Sequence, residues 1–92
     1  MADYAELERI YNNTPSGSRE EIDAIKALAD AYRTEYGPAD QDYRNWMIRY
    51  WEKLPTGSYE EKYAARDIAE SCRMAWGESD SDYLMWKERA DL

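Results

Sequence analysis

A chain of 92 residues that is 43% apolar, 14% aromatic and carries a net charge of -8 is too apolar to stay disordered and too acidic to be drawn to phosphate. It has no His and one Cys, which excludes a His-based catalytic triad, a zinc set and a disulfide framework. With neither Phe nor Val, the core falls to Ile, Leu, Met, Ala, Tyr and Trp, a set that favours helices.

The start is acidic and lacks the basic region and apolar run of a secretory leader. No window approaches the ~18 apolar residues of a spanning helix. A solitary Cys72 fits a reducing compartment, so the expectation is a cytoplasmic protein with no membrane contact.

From Asp3 to Tyr11, Tyr4, Leu7, Ile10 and Tyr11 share one face of a first helix, ended by Pro15 and Gly17. Ser18 with Glu21 three residues later predicts a capping box and a second helix with the stripe Ile22, Ile25, Leu28, Ala29, Tyr32 and Tyr36. Gly37 stands where a C′ glycine closes a helix, and Asp40 is the expected N-cap of the third. At about 100° per residue, Tyr43, Trp46, Met47, Tyr50, Trp51 and Leu54 line one side of this central helix. Trp46 and Met47 are therefore expected among the most buried side chains.

The signals then repeat. Pro55, Gly57, Ser58, Glu61 and Gly77, with Ser79 or Asp80 at the start of the last, punctuate a fourth and a fifth helix much as their counterparts 40 positions earlier punctuate the second and third. Arg33, Tyr43, Trp46 and Arg49 likewise recur as Arg73, Tyr83, Trp86 and Arg89. Shared capping chemistry would explain the Pro, Gly, Ser and Glu positions but not these. The prediction is an all-α, five-helix compact bundle over residues 1–92, one helical domain. It is built from a tandem duplication, at a 40-residue offset, of a short-helix/long-helix unit (repeats near 4–47 and 44–87), with a C-terminal capping helix. The fourth helix carries Ala65, Ile68, Ala69, Cys72 and Trp76 inward, so Cys72 is expected buried and inert. Arg33 and Arg73, each four residues before a glycine, are expected to clamp carboxylates across the turn, Asp40 or Asp42 and Asp80 or Asp82.

Carboxylates cluster at helix starts, where capping and the helix dipole account for them. Glu78-x-Asp80-x-Asp82 matches the first three ligand positions of a calcium loop, but Tyr83 stands where its glycine belongs and Arg89 where its bidentate acid belongs. No metal, cofactor or catalytic constellation is predicted, and the chain is read as no enzyme. Glu6, Glu8, Asp30, Glu35, Glu52, Asp67, Glu70 and Glu88 lie within or toward the C-terminal ends of helices, where the dipole gives no reward. They are the predicted partner-binding acidic surface.

The expected function is that of a non-catalytic acidic helical protein–protein interaction module. Its partner is a protein with a basic surface, with no direct nucleic acid, and the chain is a monomer or homodimer. In charge and size it resembles DNA-mimic inhibitors of the phage anti-CRISPR and anti-restriction type, which implies occupation of a basic nucleic-acid-binding surface. The alternative is a helical adaptor or oligomerisation domain that binds through exposed aromatics, Tyr59 and Trp86. Trp86 qualifies because the terminal helix has little above it.

Overall fold

The computed structural model describes residues 3–92; Met1 and Ala2, with which the start read for a leader begins, lie outside the described residues. The order is α1 (Tyr4–Asn12), α2 (Arg19–Tyr36), α3 (Gln41–Lys53), α4 (Tyr59–Trp76) and α5 (Ser81–Arg89), with no strand among the described residues. The protein is an all-α bundle, and none of its described helices is long and apolar enough to cross a membrane.

The caps set these boundaries. Asp3, Ser18, Asp40, Ser58 and Asp80 each accept a backbone N–H from three residues ahead. The expected capping boxes form in a shifted version: Glu21 and Glu61 accept the N–H groups of Gly17 and Gly57, one residue before the caps, because the N–H groups of Ser18 and Ser58 already donate to the carbonyls of Pro15 and Pro55. The helix ends differ from expectation in one respect. Gly37 and Gly77 donate to the carbonyls of Arg33 and Arg73 at 2.8 Å. Their φ/ψ are 95°/168° and 97°/173°, an extended mirror region and not the left-handed turn of a C′ cap.

Consecutive helices run antiparallel. Tyr4 at the start of α1 reaches Ala31 near the end of α2, Lys53 at the end of α3 reaches Glu21 at the start of α2, and Arg44 near the start of α3 reaches Ser71 near the end of α4. Among the described helices, close backbone approach occurs only between neighbours in sequence. Alternate helices meet through long side chains: Tyr11 on Trp46, Trp51 on Trp86, Arg19 on Glu60. The chain therefore zigzags between a layer of three short helices and a layer of two long ones. A thinnest extent of 15 Å matches two helix layers about 8–10 Å apart.

The core lies between these layers, where Ile22, Ala29, Met47, Leu54, Ala65, Ile68 and Cys72 meet. Burial pushes the Cys72 thiol up, as for an inert side chain. Several aromatic expectations need correction. Trp46 is only half-buried, because its edge-to-face partner Tyr11 sits on the short α1, which buries no residue fully. Trp86 is 4% exposed, packed against Trp51 and Ala90, so it cannot anchor a partner. Trp76 and Tyr36, the last residues of the long helices, overrun the core and stand 50% and 58% exposed. Ile10 faces outward too. Tyr43 is buried whereas Tyr83 is only partly so, since α5 has a helix on one side alone.

Candidate functional site

The eight acids read as a partner surface are all exposed, but they do not act alike. Glu6 pairs with Arg9 at 2.5 Å, Asp30 with Lys26 at 2.6 Å, and Glu70 with Arg73. Arg9 and Arg73 hold the carboxyls of Glu6 and Glu70 below their usual range. Glu35 accepts the hydroxyl of Tyr4. Asp67 is exposed at its surface, yet the protein atoms packed around it take away part of its hydration and push its carboxyl up against the pull of Lys26, Arg33 and Arg66. Among the described residues Glu8, Glu52 and Glu88 make no ion pair, but they sit on three different helices. Half of the predicted set is thus satisfied internally.

A denser concentration of charge lies elsewhere. The antiparallel zigzag brings the starts of α1, α3 and α5 to the same edge as the ends of α2 and α4. That edge carries Asp3, Asp40 and Asp80 as N-caps, with Glu35, Asp42, Glu78 and Asp82 around them. An N-cap spends one carboxylate oxygen on a backbone N–H and keeps its full charge. Capping therefore explains why these acids are tolerated without removing the field they make. No ion pair among the described residues involves Asp42, Glu78 or Asp82.

The cations that could neutralise this edge are drawn off. The expected clamps across the turns are absent: Arg73 bonds Glu70 one helical turn back, and Arg33 lies over the Tyr43 ring, 6.0 Å from its centroid. An in-helix partner one turn away needs no loop to be held in place, which favours it over Asp80 or Asp82. Arg44 is buried, 5% exposed. Its guanidinium donates to the Ala39 carbonyl, to Ser71 Oγ at 3.3 Å and to Gln41 Oε1 at 3.1 Å, and lies 4.3 Å from the centre of the Trp76 ring. Away from this edge, toward the C-terminal ends of α3 and α5, Arg49 lies 4.6 Å from the centre of Trp46, and Arg89 lies 4.7 and 4.9 Å from those of Trp86 and Trp51. Four arginines are thus held on rings, by cation–π attraction.

Exposed aromatics are present, though not as expected. Tyr59 is 79% exposed, and its exposed neighbour is Tyr63, one turn on, instead of Trp86. Tyr63, Arg66, Asp67, Glu70 and Leu92 line an open hollow beside it. Tyr36 and Trp76 flank the acidic edge. Placing them on the apolar stripes missed this, although each directly precedes a helix-ending glycine, where a side chain leaves the core. Among the described residues no group of three or more Asp, Glu or Cys is arranged to hold a metal ion. Neither a family model, nor a curated protein, nor a solved structure matches this chain.

Proposed function

We propose that the chain is a non-catalytic acidic interaction module that binds the basic surface of a partner protein. In the finer form of this reading it is an inhibitor that fills a nucleic-acid-binding groove in place of phosphates. The observation that carries the reading is the gathering of carboxylates along one edge, Asp40 and Asp42 at the start of α3 and Glu78, Asp80 and Asp82 at and just before the start of α5, while the arginines nearest them are committed to rings, carbonyls and in-helix acids. An edge of one sign attracts a partner of the opposite sign at long range and raises the association rate. The adaptor reading retains Tyr59 with Tyr63 but loses Trp86.

The test uses the chain as bait in an extract of its native host at low and high salt, followed by binding measurements on the purified partner. The expected partner binds steeply less well as salt rises, because exposed charges are screened beyond about 8 Å at physiological ionic strength. It also releases a bound duplex when the chain is added. An affinity indifferent to salt sinks the electrostatic reading, and a partner that keeps its nucleic acid sinks the mimic.

A further inference from the structure

The acidic edge is not uniformly polar. Tyr36 and Trp76 occupy equivalent positions, each the last residue of a long helix, each followed by glycine and then by an N-cap aspartate. Both residues are at least half exposed, as Tyr59 and Tyr63 are, but Tyr36 and Trp76 stand at the acidic edge. Neither is loose: Tyr36 stacks on Tyr32, 6.1 Å between centroids, and Trp76 is backed by the Arg44 guanidinium. Two ordered aromatic faces lie on an edge that also carries Asp42 in the first turn of α3, Asp82 in the first turn of α5 and Glu78 two residues after Trp76, and rings and carboxylates are the two features that hold a planar cation. A ring attracts it through its quadrupole, and a carboxylate takes its N–H groups in bidentate fashion. The chain already uses this chemistry internally, where Arg44, Arg49 and Arg89 lie over tryptophans.

We infer that the Tyr36/Trp76 edge is a docking surface for an arginine-bearing basic segment of a partner protein, whose guanidinium groups stack on these two rings between the flanking carboxylates. The inference rests on the acidic-edge reading above and adds to it both the anchors and the preference for arginine. Charge complementarity selects the occupant. A second copy of this chain would bring like charge to the edge, and a nucleic acid would bring phosphate. Lysine satisfies the carboxylates but stacks less well, being a compact, strongly hydrated charge without a planar face.

The experiment measures binding of a synthetic oligo-arginine peptide, and of an oligo-lysine peptide of equal length, to the full chain by fluorescence anisotropy. Variants are Tyr36→Leu/Trp76→Leu, Tyr36→Phe, and Asp42→Asn/Glu78→Gln/Asp82→Asn, each checked by circular dichroism for unchanged helix content. Leucine keeps the apolar bulk, so the fold is retained while the ring is lost. The intact chain is expected to prefer the arginine peptide, the double leucine variant to bind it about tenfold more weakly and to lose the preference, and Tyr36→Phe to behave as the parent. Equal affinity for both peptides, or no change in the leucine variant, overturns the inference. If the amide variant alone loses binding, the edge acts by charge only and the broader reading stands. If the intact chain binds neither peptide, both fall.

Discussion

The ring of Trp86 meets that of Trp51 edge to face, 5.1 Å between centroids and 89° between planes, as Trp46 meets Tyr11 at 5.3 Å and 85°. The second pair is the first shifted by 40 positions, and in each an arginine three residues after the later tryptophan covers its face. The two pairs differ in their cover, since Arg89 lies over both rings of its pair whereas Arg49 lies over Trp46 and not over Tyr11. Trp86→Ala should lower unfolding stability by about 3–5 kcal/mol. Trp46→Ala, losing a half-buried ring, should cost about 1–2 kcal/mol. Urea unfolding of the two variants checks the order, and a larger loss at Trp46 would contradict the packing described.

Arg44 donates to a carbonyl, a hydroxyl and a side-chain amide oxygen at once, and its planar group also faces Trp76. An ammonium cannot reproduce this fork. Arg44→Lys should cost about 1–3 kcal/mol, because the Ala39 carbonyl and Ser71 hydroxyl lose a buried donor. Thermal melts decide it: a Lys variant as stable as the parent would mean that the positive charge alone is sufficient.

Gly37 and Gly77 hold backbone angles that glycine alone adopts readily, and an added Cβ would meet no atom within 4 Å. The cost of Gly37→Ala or Gly77→Ala is therefore backbone strain without steric clash, about 1–3 kcal/mol each. The two sites share no side-chain partner, so the double variant should show the sum in chemical denaturation.

Burial of phenols makes stability sensitive to alkaline pH. Burial first, and the charge of Asp67 second, push the Tyr43 hydroxyl up from 10.0 to about 12, and burial also raises Tyr32 and Tyr50. Because the folded values lie above the unfolded ones, the contribution is fully present below pH 10 and is lost as pH rises through about 12. Tyr43→Phe keeps the ring and removes the ionisable group, so its melting temperature should fall less steeply over that window. Parallel declines for parent and variant would exclude Tyr43 as the source.

The order of the five helices, the caps that start the second, third and fourth, the glycines that end the two long ones, the 40-residue correspondence and the burial of Met47 and Cys72 could be read from residues alone. Caps, helix-ending glycines and apolar stripes act within four or five positions, so local sequence contains the whole cause. Which aromatics are covered could not be read this way. Trp46 and Trp86 share a register position and a stripe, yet only Trp86 is buried, because coverage depends on what a neighbouring helix brings, Tyr11 in one case and Trp51 with Arg89 in the other. The charged surface shows the same division. Net charge is a property of composition, but its concentration on one edge follows from antiparallel packing, which gathers turns 40 residues apart, and from the capture of arginines by rings and in-helix acids. Capping aspartates look locally spent; only the assembled fold sets their charges side by side.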